Sequence, residues 1–265
     1  AKMERKTKGL TPEKKAEKLK PIAQRLPTRI GTKITKDHKN YELMFDMLLG
    51  IRVSVSLTCG RGPSAARLPT AAFVAMRDYA FPSDGSTTTP AHKMRDFKFR
   101  DYAPKVFRRL RHLFGVDSSD YLMSLTGDYV LSEVGSPGKS GSFFYYSYDM
   151  RFVVKTISKG EATFLRSILQ QYYKFVRDNP NTLISRFFGM HRVKPHKKDV
   201  VYLVVMENVF SNNLELEERY DLKGSTIGRR VAPHKKKKDS VLKDLDFLDN
   251  KRRILLGPKK TELLL

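Results

Sequence analysis

The sequence predicts an α+β fold, an antiparallel sheet with flanking helices packed on one side. Three observations predict it. Apolar residues recur at three- and four-residue spacing around 43–51 and again around 165–172, the period of a helix face. From Leu131 onward, short apolar runs shift toward a period of two, the mark of strands. The resulting order is helices, then strand, Gly-rich turn, strand, helix and further strands.

In chain order, residues 1–40 lack apolar periodicity and read as a mostly disordered basic arm. Leu43, Met44, Met47, Leu48 and Ile51 mark one face of an amphipathic helix. Residues 60–70 and 82–92 are loops by composition, and 71–81 suits either a strand or a short helix. A basic helix runs from Ala103 or Pro104 to Phe114 and is ended by Gly115. Its apolar face is Val106, Phe107, Leu110 and Phe114, with Arg108, Arg109 and Arg111 off it. Ser118, Ser119 or Asp120 is placed to cap a short helix over 121–125. Residues 143–147 and 151–157 flank a link containing Tyr148 and Asp149 and read as a β-hairpin. A helix follows over 161–176, with Leu165, Ile168, Leu169 and Tyr172 on one face, stopped by Asp178-Asn-Pro-Asn181. Residues 187–193 and 200–206 are strands, and 215–222 is a strand or an extended segment. No internal repeat is evident.

The chain has 265 residues, enough for one large domain or two small ones. Its longest strongly apolar stretch, Val200 to Met206, has the length of a buried strand, so any meeting with a membrane is from the surface. Residues 1–8 carry no signal-peptide pattern, and the single cysteine, Cys59, has no intrachain partner, which suits a reducing cytosolic compartment. The net charge of +23 is concentrated. Residues 1–40 hold 13 Lys and Arg against 4 Asp and Glu, residues 92–112 hold 8 against 2, and residues 229–243 hold 7 against 1. Such concentration suits nucleic acid or an anionic leaflet, where each basic side chain is worth roughly 1 kcal/mol. A solvated tail and a solvated helix face would show the same charge, and for residues 1–40 that plainer account is favoured.

Three constellations carry chemistry. Gly135, Gly138 and Gly141 lie in GSPGKSGS between two strands, with Ser140 and Ser142 adding hydroxyls; the turn could cradle a phosphate or be only a turn. A strand rather than a helix follows it, as in kinase glycine loops. Lys155 lies on the same strand face as Val153 and Ile157, where its charge must be met. A nucleotide phosphate would meet it, as would Glu161, four residues before Leu165; an edge-strand lysine and a helix-start acid are the plainer alternatives. The third constellation is YDLKGST, residues 220–226, followed by Arg229 and Arg230. It could orient a phosphate acceptor or be a charged surface turn, and physics alone leaves the two even.

YDLKGST followed by basic residues resembles the hallmark of the phosphatidylinositol phosphate kinases. FPSDGSTTTPAH, FKFRDYAPKVFRRLRHLFGV, SPGKSGSFFYYSYDMRFVVKTI, NPNTLISRFFGMHRV, VVMENVF and KDLDFL resemble family segments in the same order, from about Tyr41 to the C-terminus. The likeness is greatest to the phosphatidylinositol 4-phosphate 5-kinase (type I) subgroup. It implies a lipid-kinase fold distantly related to protein kinases, with a basic face toward the membrane. It divides the chain into the arm of 1–40, an N-terminal lobe over 41–208, and the start of an incomplete C-terminal lobe over 209–265. By position, Gly138, Ser140, Gly141 and Ser142 would form the phosphate loop, Lys155 would be the ATP lysine paired with Glu161, and Val205, Met206, Glu207 and Asn208 the interlobe hinge. Glu207 departs from the more common Asn there, which matters little if backbone groups contact adenine. Asp221 and Lys223 would belong to the catalytic site, and Lys223, Arg229 and Arg230 would face the lipid phosphate. The helix over 41–52 resembles one used for homodimer contacts.

The family's MDYSLL segment with its catalytic aspartate, the metal-binding aspartate and the lipid-selecting loop would lie beyond Leu265. ATP and Mg2+ are therefore the implied cofactors, with no metal ligand expected within these residues. The expected activity is phosphorylation of a phosphatidylinositol monophosphate, the 4-phosphate at its 5-position, by a cytoplasmic protein peripheral at the inner face of the plasma membrane. The alternative is an incomplete lobe that only docks on anionic lipid. Nucleic acid is not expected as a partner, since no basic–aromatic RNA motif or zinc spacing occurs. A soluble protein kinase is disfavoured because HRD- and DFG-type segments are missing from this sequence.

Overall fold

The computed structural model describes residues 32–58, 67–127, 131–135, 142–210, 216–237 and 240–264. The chain divides into two compact units, Ala1–Asn213 and Leu214–Leu265.

The first unit is built on an eight-stranded sheet. Its strands are β1 (Thr32–Lys33), β2 (Met76–Phe81), β3 (Phe97–Tyr102), β4 (Ser132–Gly135), β5 (Phe143–Tyr146), β6 (Phe152–Ile157), β7 (Phe187–Lys194) and β8 (Val201–Glu207). They lie in the order β1-β4-β5-β6-β8-β7-β3-β2, and every pairing is antiparallel. Among the described residues five helices accompany them: α1 (Tyr41–Ser56), α2 (Ala71–Val74), α3 (Pro104–Leu113), α4 (Ser118–Thr126) and α5 (Lys159–Asp178). The segment 71–81, undecided from sequence, is both: a turn of helix and then an edge strand.

The helices cover both faces of the sheet, which corrects the one-sided packing expected. On one face α1 and α4 bury Met44, Met47, Leu48, Ile51 and Tyr121 against Phe99, Val154, Phe188, Leu203 and Val205. On the other, α3 and α5 bury Val106, Phe107, Leu110, Leu165 and Leu169 against Met190 and Val204. The central strands alternate between two apolar sets, so both faces must be covered. The first layer is tight: a Cβ on Gly50 would lie 2.0 Å from the Phe99 ring.

Three local expectations shift. The arm expected over 1–40 overlaps the sheet, because β1 pairs with β4 and Ile34 is buried; residues 1–31 lie outside the described residues. The cap of α4 is Asp117, whose carboxylate accepts from the Ser119 amide, one residue before the expected candidates. Arg111, placed off the apolar face, is buried; it donates to the Phe188 carbonyl at 2.7 Å and lies over the Tyr121 ring. In α1 the apolar face read from sequence is turned into the core.

The second unit contains β9 (Arg219–Asp221) and β10 (Val241–Lys243), paired in parallel, then α6 (Asp244–Asp249) and α7 (Pro258–Leu264).

One core residue conflicts with its surroundings. Asp46 on α1 is fully buried, and neither carboxyl oxygen has a hydrogen-bond partner among the described residues. Burial, and then the nearby Glu42, push its carboxyl up to about 8 against the pull of Lys198. The folded chain therefore holds a proton there that the unfolded chain releases above its ordinary value of 3.8, so stability falls as pH rises between the two. Asp46→Asn is expected to remove that decline: its melting temperature, followed from pH 4 to 8, should lose the downward slope that the parent shows. Parallel slopes in the two proteins would contradict this.

Candidate functional site

The first cluster arises from strand register. Lys155 on β6 lies opposite Phe144 of β5 and Val204 of β8, so its side chain rises from the middle of the sheet. Phe144 provides a ring 5.9 Å from the ammonium, and the side chain is only 26% exposed. Glu161 comes from the first turn of α5, which begins directly after β6. Ser158 and Glu161 form a capping box there: the Glu161 amide donates to Ser158 Oγ at 3.2 Å, and the Ser158 amide donates to Glu161 Oε2 at 2.7 Å. The box fixes the carboxylate so that its other oxygen, Oε1, stands 3.9 Å from Lys155 Nζ. The Ser158 amide and hydroxyl, and to a lesser degree Lys155, hold the Glu161 carboxyl below its ordinary range.

A separation of 3.9 Å is an ion pair but not a hydrogen bond. Among the described residues the ammonium thus has neutralising charge beside it and unused N–H donors, which suits a phosphate oxygen. β4 and β5 pair from Gly135 and Phe143 inward, so the Gly-rich segment joins two neighbouring strands next to β6. Gly138, Ser140 and Gly141 lie outside the described residues. Ser142 is buried at the start of β5, and the next amide, of Phe143, donates to Thr156 Oγ1 at 2.8 Å.

The expected hinge lies at the end of β8. Val205 is in the core, and Met206 and Glu207 are half-buried. Asn208 is buried and ties this end to the β5–β6 turn, its Nδ2 donating to the Met150 carbonyl at 2.7 Å. The amides of Glu207 and Asn208 already donate to the Arg186 and Arg151 carbonyls. Glu207 itself pairs with Arg186 at 3.1 Å, giving the residue that departs from the family pattern a partner of its own.

The second cluster lies in the second unit. Asp221 ends β9, and Lys223 Nζ reaches back to its Oδ1 at 2.8 Å. The turn that follows is organised by Asp244, a residue the sequence reading did not single out. Asp244 Oδ1 accepts from the amides of Lys223 and Gly224, each at 2.8 Å, and Oδ2 accepts from Arg229 Nε at 2.7 Å. Gly224 has φ +68°, a left-handed conformation that glycine adopts without strain. Arg229 also contacts the Asp221 carbonyl and carboxylate. Two residues on, Asp246 accepts from the amides of Val231 and Lys243 and pairs with Lys236 at 2.6 Å.

These contacts revise the roles expected of the basic residues. Arg229, expected to face a lipid phosphate, is only 12% exposed and is held by Asp221 and Asp244. Lys223 and Arg230 remain exposed, Arg230 paired with Asp249 at 2.7 Å. Ile227, between them in sequence, is 91% exposed. The signal for Asp244 was present in KDLDFL, but nothing local says which distant turn its carboxylate serves.

With this geometry in view, the comparison with known proteins is direct. The family model described as Phosphatidylinositol-4-phosphate 5-Kinase matches residues 125–265, over half of the chain. The chain belongs to the phosphatidylinositol-4-phosphate 5-kinase family. It is 45% identical over 238 residues to phosphatidylinositol 4-phosphate 5-kinase its3 of Schizosaccharomyces pombe, covering 89% of this chain and 32% of that protein. It is 43% identical over 235 residues to phosphatidylinositol 4-phosphate 5-kinase 7 of Arabidopsis thaliana, covering 88% and 31%. A second Arabidopsis protein, phosphatidylinositol 4-phosphate 5-kinase 8, is 46% identical over 208 residues, covering 78% and 27%. The chain thus spans about a third of the length of the curated relatives it matches.

The second cluster yields a pH-dependent expectation. Burial opposes ionisation of Asp244, but Arg229 and the Lys223 and Gly224 amides outweigh it and hold the carboxyl below its ordinary value of 3.8. Its contribution to the turn is therefore complete above that value and is lost only as pH falls further. Asp244→Asn should speed amide hydrogen exchange at Lys223 and Gly224 several-fold at pH 6, leaving β6 and β8 unchanged. Equal exchange at those amides in parent and variant would show that the carboxylate does not hold the turn.

Proposed function

We propose that the protein carrying this chain transfers the γ-phosphate of ATP to the 5-hydroxyl of phosphatidylinositol 4-phosphate. Lys155 carries this reading: an ammonium raised from a central strand, paired with the strand that follows the Gly-rich segment and set beside a carboxylate too distant to satisfy it. In that role Lys155 donates to phosphate oxygens of ATP, and Glu161, fixed by its capping box, keeps the ammonium aimed. Ser142 and the Gly-rich segment with Gly138, Ser140 and Gly141 supply donors to the phosphates, and Val205–Asn208 borders the base. Mg2+, when bound with ATP, neutralises charge on the phosphates.

In the second unit, Asp221 and Lys223 act at the acceptor and Lys223 and Arg230 meet the headgroup phosphate. Arg229 positions Asp221 rather than contacting lipid. Among the described residues no helix is long and apolar enough to cross a membrane. The basic segment and the exposed Ile227 are read as a peripheral attachment at the cytoplasmic face of the plasma membrane, Ile227 inserting among anionic headgroups that attract the basic residues. A homodimer would form through the outer side of α1, where Arg52 is exposed.

Transfer of radiolabel from ATP to vesicles containing phosphatidylinositol 4-phosphate tests the proposal. Lys155→Ala in the whole protein should lower turnover by roughly a hundredfold or more, while Arg230→Ala should raise the KM for lipid. Undiminished bisphosphate formation by Lys155→Ala would overturn the assignment. Vesicle binding without product from any inositol lipid would replace the enzyme with a docking module.

A further inference from the structure

A second basic site lies on the opposite part of α5. Gln170, Tyr173, Lys174 and Arg177 stand at positions i, i+3, i+4 and i+7 and form a single stripe on that helix. The stripe faces a cleft of about 490 Å³, whose other walls are Arg109 of α3 and the segment from Arg67 through Thr70 to Phe73. Phe73 and Tyr173, both 8% exposed, meet edge to face with centroids 5.5 Å apart. Four cations, Arg67, Arg109, Lys174 and Arg177, therefore share one recess, and its lining includes no carboxylate among the described residues.

Several arginines elsewhere lie against acids, as in Arg100–Asp78, Arg252–Glu218 and Arg230–Asp249. Beside the recess Asp178 holds Arg177 with bonds of 2.8 and 3.0 Å. Arg109 has contacts of its own, and among the described residues Lys174 and Arg67 form no ion pair. Like charges gathered in a recess repel one another until an anion enters. Arginine forks favour phosphate oxygens, and Thr70 and Gln170 add a hydroxyl and an amide.

We infer that this cleft binds a small ligand carrying at least two phosphate groups, present either as a free solute or as a lipid headgroup. The site is separate from Lys155: thirteen residue steps along α5 separate Lys174 from Glu161, about 20 Å along the helix axis. The inference is thus independent of the phosphoryl-transfer reading.

Pyrophosphate is the first probe, titrated calorimetrically into the 265-residue chain carrying Lys155→Ala, so that the proposed nucleotide site does not contribute. Adding Lys174→Glu is expected to weaken binding roughly tenfold, and adding Asp178→Asn to strengthen it by releasing Arg177. Retention on phosphatidylcholine vesicles doped with a lipid whose headgroup carries a phosphomonoester in addition to its phosphodiester forms the second arm. Sensitivity of the pyrophosphate arm to these variants supports a soluble ligand; sensitivity of the vesicle arm alone supports a headgroup. Unchanged behaviour of both variants in both arms overturns the site. Should Lys174→Glu melt early, Asp178→Asn alone decides, because it removes charge from an exposed side chain without altering the cleft lining.

Discussion

An ammonium in the middle of a sheet has to be met by negative charge, and the placement of Lys155 constrains everything around it. Its neighbours across both strand pairings are apolar, so the charge cannot be met within the sheet. The capping box at the start of α5 provides a partial answer, since the same turn that begins the helix delivers the Glu161 carboxylate to that side of β6. The distance left between the two charges leaves N–H donors of the ammonium unused among the described residues. A closer pair would satisfy the lysine and leave little for a phosphate; a more distant one would leave it uncompensated in a half-buried position.

The second unit answers a related problem by different means. It gathers basic residues around the YDLKGST turn, and two acids of one short helix keep that turn in shape. Asp244 binds backbone amides and Arg229 together, and Asp246 holds the strand before its own helix and the basic segment at Val231 and Lys236. The basic segment is thus divided between residues that build the turn and residues left exposed. That division is a property of the folded unit and not of the charge count.

Much of this was legible in advance because it is local. Helix periods located α1, α3 and α5, and alternation located the β5–β6 hairpin and the face of Lys155. The short spacing from Lys155 to Glu161 was enough to put them together. What was missed depends on partners far away in sequence. Helices on both faces were not foreseen, since a continuous apolar strand such as Val201–Met206 reads the same whether one or both sides are covered. Arg111 is off the apolar stripe by counting, yet it is buried because the Phe188 carbonyl needs a donor there. Segment 71–81 resisted a single assignment because it changes from helix to strand within one residue of Ala75. Asp244 went unnoticed because its turn lies some twenty residues upstream.

The central claim is that Lys155 meets the phosphates of ATP. An ATP analogue bearing an acyl group on its γ-phosphate transfers that group to an amine held against the phosphates, and peptide mapping then identifies the amine. The account predicts modification of Lys155, suppressed by unmodified ATP and lost with a charge-reversed Glu161→Lys variant. Modification confined to Lys174, Lys223 or the basic segment at 235–237, with Lys155 unlabelled and ATP without effect, would contradict it.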